Sequence, residues 1–142
     1  MKKRLLKIGI AILCILLFLY LVGYFHNPIS IFNIDRVVLE TYDHEGQSDD
    51  VRTGTVELNS VDIWALVTLY NLSRYDSNIT AEPCCAEFRF YIYFHNGSKV
   101  TIREGSKTAA IVDPVKGDYY YAHSRLLLGW INLCIKKYDL GV

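Results

Sequence analysis

From Cys84 to His95 the side chains alternate without a break. Cys84, Ala86, Phe88, Phe90, Ile92 and Phe94 fall on one side; Cys85, Glu87, Arg89, Tyr91, Tyr93 and His95 fall on the other. Successive side chains of a strand point to opposite faces, so this pattern demands a β-strand with one buried and one wetter face. Asn96-Gly97 follows, a strong hairpin signal that predicts a type I′ turn. Lys99 to Arg103 then returns with Val100 and Ile102 toward the core. Glu104-Gly105-Ser106 turns once more into a strand from Lys107 to Val112, closed by Asp113-Pro114. The sequence therefore predicts a three-stranded meander at the centre of the domain.

The flanking segments complete the expected fold. Ile34 to Tyr42 is rich in β-branched residues and reads as a strand, as does Val51 to Leu58. Between them lies a polar, acidic hairpin tip. Ser60 is a candidate N-cap for a helix ending near Ser73 or Arg74, with Asp62 well placed against its positive end. Residues 75–83 read as a loop. Asp118 is the expected cap of a last helix running to about Tyr138, with Tyr120, His123, Leu127, Trp130, Ile131 and Cys134 on one face. The order β-β-α-β-β-β-α, with antiparallel strands and both helices over the Phe face, is an α+β fold.

Ahead of this domain stands an 18-residue run without a charged side chain, 8–25, preceded by Lys2, Lys3, Arg4 and Lys7. At about 1.5 Å per residue such a run covers roughly 27 Å, close to a hydrocarbon core of about 30 Å. The expectation is an N-terminal transmembrane signal anchor. The run offers no A-x-A-like cleavage site, and Tyr20 and Tyr24 suit an interfacial belt. Basic residues stay on the cytoplasmic side, so 1–7 is expected inside, 8–25 in the lipid bilayer, 26–33 as a tether and 34–142 as an extracytoplasmic domain of a single-pass cell-membrane protein. The short basic N-terminus and the apolar run look like a bacterial export signal, and the plan of one span and a small α+β domain resembles exported bacterial proteins in layout only.

Charge narrows the partners. From His26 to Val142 there are 11 basic and 15 acidic residues, a net −4 with no basic surplus to neutralise phosphates, so nucleic acid is an unsuitable partner. Three cysteines follow the apolar run. A Cys84–Cys134 disulfide fits an oxidising compartment, because Cys84 is in phase with the buried Phe row; three reduced, buried thiols fit the same sequence.

No cofactor motif occurs: no P-loop, no G-x-G-x-x-G, no G-x-S-x-G, and no His pair at metal-binding spacing. Cys85 and His95 are the best Cys/His pair, but ten strand residues hold them about 33 Å apart. The acidic 43–50 loop supplies oxygen ligands without matching a calcium-loop spacing, and a solvated hairpin tip explains the same residues.

Asn71, Asn78 and Asn96 each begin an N-x-[ST] triplet, which matters only on a eukaryotic secretory route. What remains is the face opposite the Phe row. Arg89, Tyr91, Tyr93 and Arg103 share it, and Tyr and Arg are types enriched at binding hot spots. The expected function is a non-catalytic interaction or sensing module that binds an envelope protein or ligand through these four residues. An envelope enzyme with a divalent cation in the 43–50 loop is the alternative.

Overall fold

A computed structural model describes residues 2–21, 28–43, 51–77 and 87–140. After helix α1 (Lys2–Leu21) and a single 3-10 turn (Ile31–Asn33), the chain forms β1 (Ile34–Asp43), β2 (Val51–Glu57), α2 (Ser60–Asn71) and β3 (Arg74–Asp76). It continues through β4 (Phe88–Phe94), β5 (Lys99–Ser106), β6 (Ala109–Asp113), β7 (Tyr120–His123) and α3 (Arg125–Lys137). The seven strands make one sheet in the order β2-β1-β4-β5-β6-β7-β3, with every neighbouring pair antiparallel. The molecule is α+β.

Packing follows the alternation. Phe88, Phe90 and Ile92 point inward from β4, joined by Val37 and Leu39 of β1, Val100 and Ile102 of β5, and Ala110, Val112, Tyr120 and Ala122 of β6 and β7. Leu66, Val67 and Tyr70 of α2 and Leu127, Ile131 and Cys134 of α3 cover this face, so one side of the sheet holds the core. Leu127, Ile131 and Cys134 lie at the i, i+4, i+7 spacing of one helix stripe. The segment before β1 is fastened to this core. Asn71 accepts from Ile29 N and donates to Ile29 O, both at 2.8 Å, while His95 N donates to Asn33 O.

The structure corrects the membrane anchor. Among the described residues no helix is long and apolar enough to cross a membrane. Helix α1 begins at Lys2, so Lys2, Lys3, Arg4 and Lys7 occupy its first two turns. Its charge-free part, 8–21, is about 21 Å long at 1.5 Å per residue, well short of a core of about 30 Å. The remainder of the expected 8–25 span lies outside the described residues. The transmembrane signal anchor, the single-pass architecture and the cell-membrane localisation that followed from it are overturned.

The expected element order is also corrected. The last helix does not start at Asp118. Residues 120–123 form β7, with Tyr120 and Ala122 inward, and Ser124 caps α3 by accepting from Leu127 N at 3.1 Å. Arg74–Asp76, expected as the helix end and the start of the 75–83 loop, forms the edge strand β3 against β7. The cap of α2 is Asn59, one residue earlier than Ser60, whose Oδ1 accepts from Asp62 N at 2.9 Å. The β4–β5 turn differs as well. Gly97 takes φ +81° while Asn96 stays at negative φ, and Gly97 N donates to Phe94 O at 2.9 Å. That is a type I turn followed by a left-handed glycine, not type I′.

Candidate binding face

Cross-strand register builds the face of the sheet opposite α2 and α3. With Phe88, Phe90 and Ile92 committed inward, Arg89, Tyr91 and Tyr93 must point out. On one side β1 pairs Arg36 with Tyr93, Val38 with Tyr91, and Glu40 with Arg89. On the other, β5 pairs Lys99 with Tyr93, Thr101 with Tyr91, and Arg103 with Arg89. All four residues singled out from the sequence, Arg89, Tyr91, Tyr93 and Arg103, therefore lie together on neighbouring strands, and each is half-buried.

Their surroundings form a layer of cations stacked on tyrosines. The Arg89 guanidinium lies 4.5 Å from the centre of the Tyr42 ring, and Arg36 lies 4.9 Å from that of Tyr93. Lys99 Nζ sits 5.0 Å from the Tyr91 ring centre, and Arg103 is 5.0 Å from that of Tyr119. Such contacts are worth about 0.5–1 kcal/mol each at exposed sites, and more where water is excluded.

Hydrogen bonds join the stacks at the β1 side. Tyr42 donates its hydroxyl to Glu40 and approaches the Tyr91 hydroxyl at 3.4 Å, while Arg52 Nη1 bonds Glu40 Oε1 at 3.1 Å. Burial, then the bond to Glu40, then Tyr91 push the Tyr42 phenol well above its ordinary range, so it stays a neutral donor. Glu40 is thus occupied from two directions.

Arg36, Tyr42, Lys99 and Tyr119 belong to this surface and were absent from the expected set. Arg36 and Tyr42 share parity with Glu40 in β1, a signal readable from the sequence. Knowing that β1 lies beside β4 requires the fold. Tyr119 precedes β7 and is 44% exposed.

The other expected sites fare differently. Cys134 is a buried free thiol, pushed up to about 11 by burial and then by Asp62, while Cys84 lies outside the described residues. Of the acidic 43–50 loop only Asp43 is described, and among the described residues no group of three His, Cys, Asp or Glu side chains is placed to hold a metal ion. The Asn71 amide is engaged by Ile29, and Asn96 Oδ1 accepts from Ser98 N and Oγ; Asn78 lies outside the described residues. A cleft of about 320 Å³ opens at the end of the sheet beside Tyr70 and Tyr120, whose hydroxyls bond one another. No protein-family model, curated protein or solved structure matches the chain.

Proposed function

We propose that this protein is a non-catalytic binding module whose sheet face opposite α2 and α3 docks a partner protein. The observation that supports this reading is the set of four cation–tyrosine stacks side by side on that face. The Phe row and the two helices satisfy the core from the other side, so stability alone does not call for this density of Tyr and Arg. Stacked rings and guanidinium groups are stiff, present both apolar area and donors, and lose little conformational entropy when a partner covers them. Flat sheet faces with this chemistry suit a protein surface better than a small molecule, which needs a concave site.

Affinity capture with the full chain as bait tests the proposal. Wild type is compared with Tyr91→Ala/Tyr93→Ala and with Leu126→Ser, a change on the exposed side of α3 where Leu126 is 73% exposed. A partner retained by wild type and Leu126→Ser but lost by the tyrosine variant supports the face. Recovery of every bound species by the tyrosine variant contradicts it.

A further inference from the structure

We infer that the cleft at the end of the sheet is a small-molecule site, and that its ligand is a monocarboxylate with a compact aromatic body. The site is separate from the cation–tyrosine face and does not depend on the reading of that face.

The cleft opens where β4 ends, β5 begins, β6 ends and β7 begins. Its deep end is apolar and aromatic: Ile29, Tyr70, Val100 and Tyr120 are buried, while Phe94 and Pro114 are half-buried. A second hollow of about 450 Å³ adjoins it and shares Asn33, Phe94 and Val115. Small-molecule sites have this scale, about 300–1,000 Å³, and this mix of an apolar lining with a few polar groups.

One wall is fixed by the protein's own bonds. Asn71 clamps the Ile29 backbone through both its N–H and its C=O, and His95 N donates to Asn33 O at 3.0 Å, so the 28–33 segment is held at both ends. On the other side Gly117 takes φ +96°, a left-handed conformation that suits glycine, as the chain leaves Pro114-Val115-Lys116 for β7. A wall ordered in advance lowers the entropic cost of binding. The Tyr70 and Tyr120 hydroxyls bond one another, and burial, then Tyr120, push the Tyr70 phenol far above its ordinary range, so the deep end stays neutral. A ligand ring placed there meets the rings of Tyr70, Phe94 and Tyr120, and aromatic pairs gain from edge or offset contact beyond their buried area.

Charge selects the head group. Neither hollow has an Asp or Glu in its lining, although the chain from 26 to 142 is acidic overall. The lining holds two basic side chains. His95 lies 3.7 Å from Asp35, whereas among the described residues no ion pair or hydrogen bond reaches Lys116 at the mouth. A cationic ligand would find no counter-charge and would meet Lys116. One lysine with no arginine beside it answers a single negative charge, so a monocarboxylate suits the site better than a phosphate dianion.

Chemical-shift titration of the full chain tests this with phenylpropionate, phenylpropanol and phenylpropylamine, which share a ring and differ in the head group. The acid should bind about fivefold more tightly than the alcohol, the upper range of one exposed ion pair, and the amine more weakly than either. Shifts should centre on the amides of Phe94, Val100 and Lys116 and spare those of Arg89 and Tyr91. Lys116→Gln should remove the advantage of the acid and leave the alcohol unchanged. Equal binding of acid and alcohol, a preference that survives Lys116→Gln, shifts centred elsewhere, or no binding of any probe at millimolar concentration overturns the site.

Discussion

Lys137 Nζ donates to Asp62 Oδ2 across 2.6 Å, tying the last turn of α3 to the first turn of α2. The Tyr138 hydroxyl donates to the same oxygen, and Asn59, the α2 cap, reaches Tyr138 at 3.2 Å. The knot closes the helical layer over the Phe face. Burial alone would raise the Asp62 carboxyl, but the bonds from Lys137 and Tyr138 outweigh it and hold the group below the ordinary carboxylate range. A folded-state value below the unfolded one, about 3.9 for Asp, contributes stability that is complete above that range and lost as pH falls through the folded value. Thermal unfolding of wild type should therefore fall more steeply on acidification below about pH 4 than that of Asp62→Asn, by up to one proton in the linkage slope. Identical slopes would exclude the assignment.

The two faces of β4 should separate stability from binding. Phe90 is fully buried between Phe88 and Trp130, with ring centres at 5.9 and 6.2 Å. Phe90→Ala should cost about 3–5 kcal/mol by urea denaturation. Tyr93→Ala loses the Arg36 stack and part of a cross-strand pair, which together come to about 1 kcal/mol. A Tyr93→Ala variant as unstable as Phe90→Ala would mean that the face is structural.

The Asn71 amide makes both hydrogen bonds that a neighbouring strand would make to Ile29. Each neutral bond contributes about 0.5–1.5 kcal/mol net, so Asn71→Ala should lose about 1–3 kcal/mol. Asn71→Asp keeps the acceptor for Ile29 N and should fall between the two. Hydrogen exchange at the Ile29 amide reports the same contact: protection should drop in the alanine variant, and unchanged protection would refute the role.

How much of this was legible depended on whether the signal was local. The alternation of β4 and the parity of β5 are local, and they placed Arg89, Tyr91, Tyr93 and Arg103 on one face. Gly97 was legible as a turn glycine, but whether Asn96 joined it at positive φ was decided by how Phe94 bonds both Gly97 and Ser98. The four residues of β7 were hidden because Tyr120 and His123 are also three apart, which fits one face of a helix as well as a strand. Strand β3 is three residues long and exists through its pairing with β7, a partner some 47 positions away. The insertion of β1 between β2 and β4 is likewise non-local, and it is what brings Arg36 and Tyr42 to the site. In α1 the apolar run was plain; that the helix would take in Lys2 to Lys7, and that no described helix would be long and apolar enough to cross a membrane, was not.

Affinity capture with the full chain, run beside urea denaturation of the same variants, tests the central claim most directly. Tyr91→Ala/Tyr93→Ala should lose a partner that wild type and Leu126→Ser retain, while its stability falls only by the stacks and cross-strand pairs removed, about 1–2 kcal/mol. Retention of every bound species by the tyrosine variant, or a loss of stability as large as that of Phe90→Ala, would contradict a binding face and return these tyrosines to the structure of the sheet.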